Sequence, residues 1–196
     1  MKIVKTIAEL RAELLPLKKA GKSIGLVPTM GALHEGHMSL VDASAKENDV
    51  TVVSVFLNPI QFGKNEDLDK YPRRLEKDAE LVDAHGGNFV FAPTPAEMYP
   101  DGDPLTLVRD ETMECLYCGA TRPGHFRGVL TVVTKLFNIS GADRAYFGKK
   151  DYQQAFLIKR MVKDLNMPIE IHTLPIVREA SGLARSSRNE YMNDVE

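Results

Sequence analysis

The residues best suited to chemistry form an H-x-G-H pattern, His34-Glu35-Gly36-His37, which follows a short apolar run and leads directly into a predicted helix. Two imidazoles three positions apart share one face of the first helical turn, beside the unpaired N–H groups and positive dipole end that attract phosphate. Because Gly36 has no Cβ, a nucleotide base or ribose can approach the backbone there. The pattern suits an α-phosphate that gains charge as it is attacked, with both histidines donating hydrogen bonds to it and to departing pyrophosphate.

Related motifs fit this segment less well. Gly31 and Gly36 flank four residues as in a Walker A loop, but His37-Met38 stands where that motif needs Lys followed by Ser or Thr. The two histidines of a zincin are four positions apart, whereas His34 and His37 are three positions apart. No dinucleotide-type G-x-G-x-x-G follows any predicted strand. The alternative to a phosphate site is a surface loop whose histidines cap a helix.

The elements that position these residues alternate between strand and helix. A capping box at Thr6–Glu9 predicts a helix toward Gly21, which Pro16 should kink or shorten. Apolar runs and helical spacings then predict, in order, a strand at 24–27 ended by Pro28, a helix at 36–47, a strand at 50–57, a helix at 73–84, a strand at 88–91, a helix at 128–140, a strand at 144–147, a helix at 152–165 and a strand at 169–171. Residues 93–104, rich in Gly and Pro, are predicted to be a surface excursion. This alternation predicts a doubly wound α/β fold with a mostly parallel sheet, whose ligands bind beyond the carboxyl ends of the strands.

Composition narrows the class of protein. The 196 residues, 43% hydrophobic and 27% charged, are typical of one large globular domain and argue against disorder or a coiled coil. A formal charge of −2 gives no basic field for nucleic acid or an anionic membrane. Cys115 and Cys118 have C-x-x-C spacing, but no second pair completes a zinc site, and two cysteines indicate a reduced cytoplasmic setting. The N-terminus lacks the apolar segment of a signal peptide, and the longest uncharged apolar run, 50–62, is too short to span a bilayer.

Six blocks in fixed order cover nearly the whole chain and carry a resemblance to a known family. They are Pro28–His37, Phe56–Phe62, Tyr71-Pro72-Arg73, Arg122–Val129, Gly148–Gln154 and Ser186-Ser187-Arg188-Asn189. On these blocks the chain resembles the pantoate–β-alanine ligases of the HIGH-motif nucleotidyltransferase superfamily, which have a Rossmann-like nucleotide-binding domain.

The resemblance implies a two-step reaction and its partners. The carboxylate of (R)-pantoate attacks the α-phosphate of ATP, giving pantoyl adenylate and pyrophosphate, and the amine of β-alanine then displaces AMP to give pantothenate. No enzyme nucleophile is needed, because positioning and stabilisation of phosphate charge can supply the acceleration. Mg²⁺ is expected with ATP because it neutralises phosphate charge, and no metal-binding residue of the protein is predicted. The resemblance also implies a homodimer.

Site residues follow from the same resemblance. His34, His37 and Lys150 are expected to be catalytic. The ATP-binding set is Met30, Gly31, Ala32, Leu33, His34, Glu35, Gly36, His37, Gly148, Lys149, Lys150, Asp151, Val177, Arg185, Ser186, Ser187 and Arg188. Lys150 would contact phosphate, Asp151 the ribose hydroxyls, and the 185–188 loop would close over the pyrophosphate. Gln61 is expected to hold pantoate near the entry of β-alanine, and Gln154 to be the second pantoate ligand.

The chain departs from the family pattern in three respects. Lys149 replaces the usual Glu and is expected to point to solvent, and Arg185 replaces a residue that is more often aliphatic. Family members continue beyond the Ser-Ser-Arg-Asn segment. We therefore expect residues 1–176 to form the nucleotide- and pantoate-binding domain, and residues 177–196 to be a hinge and the start of a C-terminal lid.

Three other functions stay open on sequence grounds. H-x-G-H alone also fits another nucleotidyltransferase, such as a cytidylyltransferase. A chain without the lid is also compatible with binding of nucleotide and substrate without turnover. An aminoacyl-tRNA synthetase shares the signature pair, but this chain has neither room for an anticodon-reading domain nor a net basic charge.

Overall fold

The computed structural model describes residues 1–63 and 66–192. Its centre is one six-stranded sheet in the order β1-β4-β3-β2-β5-β6, and every neighbouring pair is parallel. The strands are β1 Lys2–Val4, β2 Ile24–Thr29, β3 Val50–Val55, β4 Phe89–Phe91, β5 Arg144–Gly148 and β6 Glu170–Leu174. The predicted doubly wound α/β fold is confirmed, and the sheet is wholly parallel.

Helices connect these strands and cover both faces of the sheet. They are α1 Ile7–Lys19, α2 Glu35–Glu47, α3 Leu75–Ala84, α4 Pro95–Met98, α5 Cys118–Thr121, α6 His125–Ser140 and α7 Tyr152–Asp164. Helices α1, α6 and α7 bury one core against the sheet, and α2 and α3 bury the other. Consecutive side chains of β2 show this division, since Leu26 belongs to the first core and Val27 to the second. No helix in the described ranges is long and apolar enough to cross a membrane.

The direction in which successive strands are added across the sheet reverses between β2 and β5. Strands β2, β3 and β4 progress toward one edge of the sheet, whereas β5 and β6 progress toward the other. The loops that leave β2 and β5 therefore separate to opposite faces and open a crevice between them. In open α/β sheets this is the usual place for a ligand.

The structure corrects the predicted end of β2 at Pro28. The strand continues to Thr29, and Pro28 pairs in register with Ser54 of β3. The carbonyl of Thr29 accepts a hydrogen bond from the N–H of Phe56 on the β3 side, so the nitrogen of Pro28 points toward β5. Because β5 pairs with β2 at Gly25 and Leu26 only, the missing N–H of proline costs no ladder hydrogen bond.

One further expectation was wrong, and β1 was not predicted. Residues 93–104 are not only a surface excursion, because α4 lies there and the side chains of Met98 and Tyr99 are buried in the larger core. Pro16 does not shorten α1, which keeps its predicted capping box at Thr6 and ends at Lys19. Strand β1 has three residues, pairs only with β4 and is too short for its alternation to stand out.

Candidate active site

The candidate site begins in the turn that joins β2 to α2. Gly31 and Ala32 have positive φ values of 89° and 51° there. The buried carboxylate of Asp78, on α3, accepts hydrogen bonds from the N–H groups of Ala32 at 2.9 Å and Leu33 at 2.8 Å. Burial raises the pKa of Asp78, against the effect of these two bonds. One side chain, 45 or more residues away in sequence, thus fixes the turn that presents the histidines.

His34 and His37 lie together at the start of α2, as the spacing predicts. Their ring centroids are 4.1 Å apart, His34 is the N-cap residue and His37 the third residue of the helix. Nδ1 of His34 accepts from the N–H of Gly36 at 3.1 Å, and Nδ1 of His37 accepts from the N–H of His34 at 3.3 Å. Each ring therefore carries its proton on Nε2, which is left to donate to a ligand.

Both histidines are neutral near pH 7. Burial lowers the pKa of His37 to about 3, with smaller effects of His34 and Lys150 in the same direction. Burial followed by the charge of Lys150 also lowers the pKa of His34, which Glu35 partly offsets. The histidines are thus uncharged donors, and Lys150 is the cation that acts on both.

A cavity of 560 Å³ lies over the N-terminus of α2, between α3 and the 179–189 segment. Its walls include His34 and Glu35 from the first motif together with Arg185, Ser186 and Ser187 from the distant Ser-Arg segment. The described residues that line it are Ala32, Leu33, His34, Glu35, Met38, Arg74, Lys77, Asp78, Leu81, His85, Glu179, Arg185, Ser186, Ser187 and Asn189. The structure therefore brings the two predicted phosphate-binding segments to one cavity.

Ion pairs and backbone bonds hold the Ser-Arg segment. Arg185 pairs with Glu35 at 2.8 Å and Glu179 at 2.9 Å, and its N–H donates to the carbonyl of Val177 at 3.0 Å. The departure from an aliphatic residue at 185 thus joins this segment to the start of α2. A Cβ added at Gly36 would lie 3.8 Å from Cβ of Arg185.

The guanidinium of Arg188 binds the carboxylate of Asp67 through two hydrogen bonds of 2.9 Å. It also lies 5.8 Å from the ring centroid of Tyr71, whose hydroxyl is 3.0 Å from Oγ of Ser187. Ser187 and Arg188 are therefore attached to the segment 67–71. For Arg188 to make its predicted contact with phosphate, its guanidinium must first break its hydrogen bonds to the carboxylate of Asp67.

The second strand–helix junction is at Gly148–Asp151, where β5 ends and a short 3₁₀ helix leads into α7. Nζ of Lys150 lies 3.1 and 3.2 Å from the carboxylate oxygens of Asp151. Lys149 is exposed, as expected for a side chain that points to solvent.

A second, smaller cavity of 140 Å³ contains both predicted substrate-binding glutamines. Gln61, Gln154, Met30, His37 and Asp151 all contribute to its wall, so three separate chain segments meet there. The remaining lining residues are Pro28, Thr29, Phe56, Asn58, Tyr71, Val129, Val132, Val133, Leu136 and Phe147. His34 lines the larger cavity and His37 the smaller one, so the histidine pair lies between them.

The carboxamide of Gln61 is held in a defined orientation. Its Oε1 accepts from Nδ2 of Asn58 at 2.9 Å, and its Nε2 lies 3.1 Å from Sδ of Met30. Asn58 is fully buried and is itself fixed by the hydroxyl of Tyr99, which donates to its Oδ1 at 2.7 Å. Burial raises the pKa of Tyr99, so its hydroxyl keeps its proton.

Asn58, Asp67, Asp78 and Tyr99 were not predicted as site residues. Each of these residues has a hydrogen-bond partner 40 or more positions away in the sequence, and only the Asn58–Gln61 bond is local. No local spacing in the sequence indicates such distant pairs. Within the described ranges no three His, Cys, Asp or Glu side chains are placed to hold a metal ion. Cys115 and Cys118 are both exposed free thiols.

Comparison with known proteins gives a consistent result. The family model described as pantoate-beta-alanine ligase matches residues 2–196. The chain is 58% identical to a pantothenate synthetase from Acetivibrio thermocellus over 196 residues, which is all of this chain and 69% of that protein. It is 59% identical to the one from Moorella thermoacetica over 192 residues, covering 98% of this chain and 68% of that one.

Solved structures agree with the sequence relatives. The fold superposes with a TM-score of 0.94 on a pantothenate synthetase from Thermus thermophilus that is 50% identical, over all of this chain and 69% of the other. It also superposes with a TM-score of 0.94 on a 40% identical protein from Francisella tularensis, over 99% of this chain and 74% of the other. That structure is a pantoate-beta-alanine ligase complexed with beta-gamma ATP and beta-alanine.

Proposed function

The chain belongs to the pantoate–β-alanine ligase family, and from this premise we propose that its two adjoining cavities divide the substrates of one reaction between them. That reaction is the ATP-dependent condensation of (R)-pantoate with β-alanine to pantothenate, AMP and pyrophosphate. It passes through pantoyl adenylate, because a carboxylate becomes a good acylating agent only when it carries a good leaving group.

The observation that carries the proposal is the convergence of Gln61, Gln154 and His37 on the small cavity. Pantoate has a carboxylate, two hydroxyls and a geminal pair of methyl groups. The two carboxamides can donate to the carboxylate and exchange hydrogen bonds with the hydroxyls. The side chains of Val129, Val133 and other apolar residues of the wall suit the methyl groups. At 140 Å³ the cavity is below the roughly 300–1,000 Å³ of sites for drug-sized ligands, so it suits a small acid rather than a nucleotide.

ATP is proposed to bind across the N-terminus of α2. Residues 30–37 would line its phosphates, with Lys150, Ser186, Ser187 and Arg188 supplying further donors. Asp151 would accept from the ribose hydroxyls, and Gly148 and Val177 would complete the nucleotide site. Support comes from the larger cavity, which His34 shares with Ser186 and Ser187, and from the helix N-terminus beneath it.

His34 and His37 are proposed to donate from Nε2 to the α-phosphate and to the departing pyrophosphate. Neutral imidazoles held by backbone N–H groups need no reorientation as charge develops, which favours the transition state over bound ATP. Lys150 would supply the positive charge. Gln61 would remain beside the adenylate when the amine of β-alanine attacks.

Mg²⁺ is proposed to enter with ATP. The described side chains do not form a metal site of three or more ligands, and Mg²⁺ commonly binds nucleotide phosphates and water with few protein ligands. Its chemistry is to neutralise phosphate charge.

We further propose a cytoplasmic location, which two unpaired exposed thiols support. Residues 1–176 are proposed as the nucleotide- and pantoate-binding domain, and residues 177–196 as a hinge and the start of a lid; residues 64–65 and 193–196 lie outside the described residues.

A homodimer is also proposed. Tyr117, Tyr152 and Phe156 are exposed aromatic side chains. Gln153 of α7 holds the segment that contains Tyr117 against this helix, because its side chain donates a hydrogen bond to the carbonyl of Leu116 at 2.8 Å. Such a cluster suits an interface between copies of this chain. Sedimentation of the Phe156→Ser variant should show monomer where the unmodified chain shows dimer.

Pantoate-dependent exchange of labelled pyrophosphate into ATP tests the adenylation step. We expect exchange in the unmodified chain and a loss of about 10²–10³-fold in the His37→Ala and His34→Ala variants, with ATP affinity changed far less. His172→Ala, a histidine on β6 that pairs with Glu47 and Glu170, serves as the control. Absence of exchange, or a preference for CTP over ATP, would contradict the proposal.

A further inference from the structure

Gln61 lies in the 3₁₀ helix Pro59–Gln61, which is only three residues long and is not part of the sheet. Hydrogen bonds from Asn58 and to Met30 orient its carboxamide, but they do not fix the backbone from which the side chain extends. That backbone is held from the other side by residues outside the small cavity. These residues are Glu66, Arg122 and His125, which together we call the Glu66–His125 chain.

The chain begins at the carbonyl of Gln61. Nδ1 of His125, the first residue of α6, lies 3.0 Å from that oxygen, and Nε2 of the same ring lies 3.0 Å from an amino group of Arg122. A guanidinium can only donate, so Nε2 must accept. The proton of the imidazole is therefore on Nδ1, which donates to Gln61.

This arrangement requires a neutral His125, and its surroundings favour that form. Burial lowers the pKa of His125, and the charge of Arg122 acts in the same direction, against the Gln61 carbonyl and the carboxylates of Glu66 and Asp151. A doubly protonated ring would lose the bond from Arg122. The ring is thus a neutral bridge with one donor and one acceptor, each used.

Glu66 orients the arginine. Its two carboxylate oxygens bind Nε and a terminal nitrogen of Arg122, the first at 2.9 Å, in the bidentate geometry that fixes the plane of a guanidinium. The bond from Arg122 lowers the pKa of Glu66, so the carboxylate stays charged. Each member of the chain therefore restrains the next, and the last restraint falls on the peptide group of Gln61.

We propose that His125 is a positioning residue for Gln61, and that Arg122 and Glu66 act through it to set where the Gln61 carboxamide lies in the acid-binding cavity. The inference rests on the proposed role of Gln61. None of the three belongs to the described lining of that cavity, where α6 contributes from Val129 onward. A displacement of about 1 Å in a group that orients a substrate can cost on the order of 100-fold in rate.

Steady-state kinetics on single variants give the first test. His125→Ala should raise KM for pantoate and β-alanine about 10- to 100-fold and leave KM for ATP within about twofold. His125→Asn should recover most of this loss, because its amide nitrogen occupies nearly the place of Nδ1 and can donate to the same carbonyl. His125→Leu, which keeps bulk without a donor, should not recover it. Equal losses for all three substrates, or no recovery by Asn, would overturn the proposal.

A double-mutant cycle separates this proposal from the role of Gln61. If Gln61→Ala alone leaves the pantoate KM unchanged, the proposed function of Gln61 is wrong. If Gln61→Ala raises the pantoate KM and His125→Ala raises it further by its full single-variant factor in the double variant, His125 acts elsewhere and the inference fails. We expect the double variant to be little worse than Gln61→Ala.

Glu66→Gln tests the same chain of contacts if the His125→Ala variant does not fold. Glu66 is partly exposed, and glutamine retains one acceptor for Arg122. The change should raise the pantoate KM about threefold, with the thermal midpoint and the KM for ATP nearly unchanged. A pantoate KM equal to that of the unmodified chain would contradict the proposed chain.

Discussion

Replacement of Gly128 by alanine tests how closely α6 must approach the residues that carry Gln61. Gly128 lies in the first turn of α6, against the 3₁₀ helix Pro59–Gln61. A Cβ at this position would lie 2.5 Å from the carbonyl oxygen of Ile60, 2.6 Å from Cα of Gln61 and 2.7 Å from its nitrogen. All three contacts are with backbone, so no flexible side chain can move aside.

The magnitude follows from these distances. Ordinary carbon contacts lie at about 3.5–4.0 Å, so α6 and residues 59–61 must separate by roughly 1 Å. Alanine stabilises a helix interior relative to glycine by about 0.5–1 kcal/mol, whereas overpacking costs about 1–3 kcal/mol. We therefore expect a net loss of about 1 kcal/mol in unfolding free energy. A shift of about 1 Å at Gln61 should lower kcat/KM for pantoate on the order of 100-fold, or about 2.7 kcal/mol of transition-state stabilisation.

The assay compares pantoate and ATP kinetics of Gly128→Ala with those of Asn138→Ala. Asn138 is exposed on the same helix, so this control gains helix propensity without a clash. Denaturant unfolding of both variants measures the stability difference. If Gly128→Ala kept its pantoate kcat/KM within threefold, or lost ATP affinity to the same degree, the close approach would not be what places Gln61.

Three other perturbations have expected outcomes. The pKa of His37 falls from about 6.5 in the unfolded chain to about 3 in the fold, so the unfolding free energy should decrease by about 3 kcal/mol as pH drops from 6.5 to 4. His37→Asn should show a shallower decrease in denaturant titrations at each pH, and an identical slope would refute the assignment. Asp78→Ala removes the acceptor of two backbone N–H groups in the turn before α2 and should lower the unfolding free energy by about 3 kcal/mol, whereas a loss below 1 kcal/mol would mean that the turn holds itself. Asp67→Asn weakens the hold on Arg188, so calorimetry should find a non-hydrolysable ATP analogue bound up to about fivefold more tightly; weaker binding would show that Asp67 instead prepares Arg188 for phosphate.

The order of the central strands and of the longer helices was predictable because these strands are apolar on both faces and these helices have a regular apolar spacing. Val50–Val55 is such a strand, and its buried residues supply both cores. Strand β1 escaped prediction because only Val4 of its three residues is buried. Pro28 was misread because its effect depends on which neighbouring strand its nitrogen faces, which is a property of the sheet and not of the segment.

In the candidate site, too, features set by local sequence were predictable and features set by distant contacts were not. Residues that act through local spacing, such as His34 and His37, were identified from the chain alone. Those that act through a distant partner were not, since nothing near Asp78 in sequence indicates that it binds the turn at residues 32–33. Tyr99 likewise reaches Asn58 across 41 positions. Sequence spacing thus predicted the histidine pair of the candidate site, whereas the groups that orient its surroundings are visible only in the folded chain.

The position of the histidine pair explains why one short motif can serve a reaction between two substrates. His34 and His37 are three positions apart in the chain and their rings are 4.1 Å apart, yet each lines a different cavity. A carboxylate in the small cavity and a triphosphate over α2 would therefore meet at the wall that the two rings form. Because both rings are neutral and oriented by backbone N–H groups, they can stabilise the phosphate at that wall without attracting the carboxylate away from it. The positive charge required by the pyrophosphate would then be left to Lys150 and to the arginines of the Ser-Arg segment.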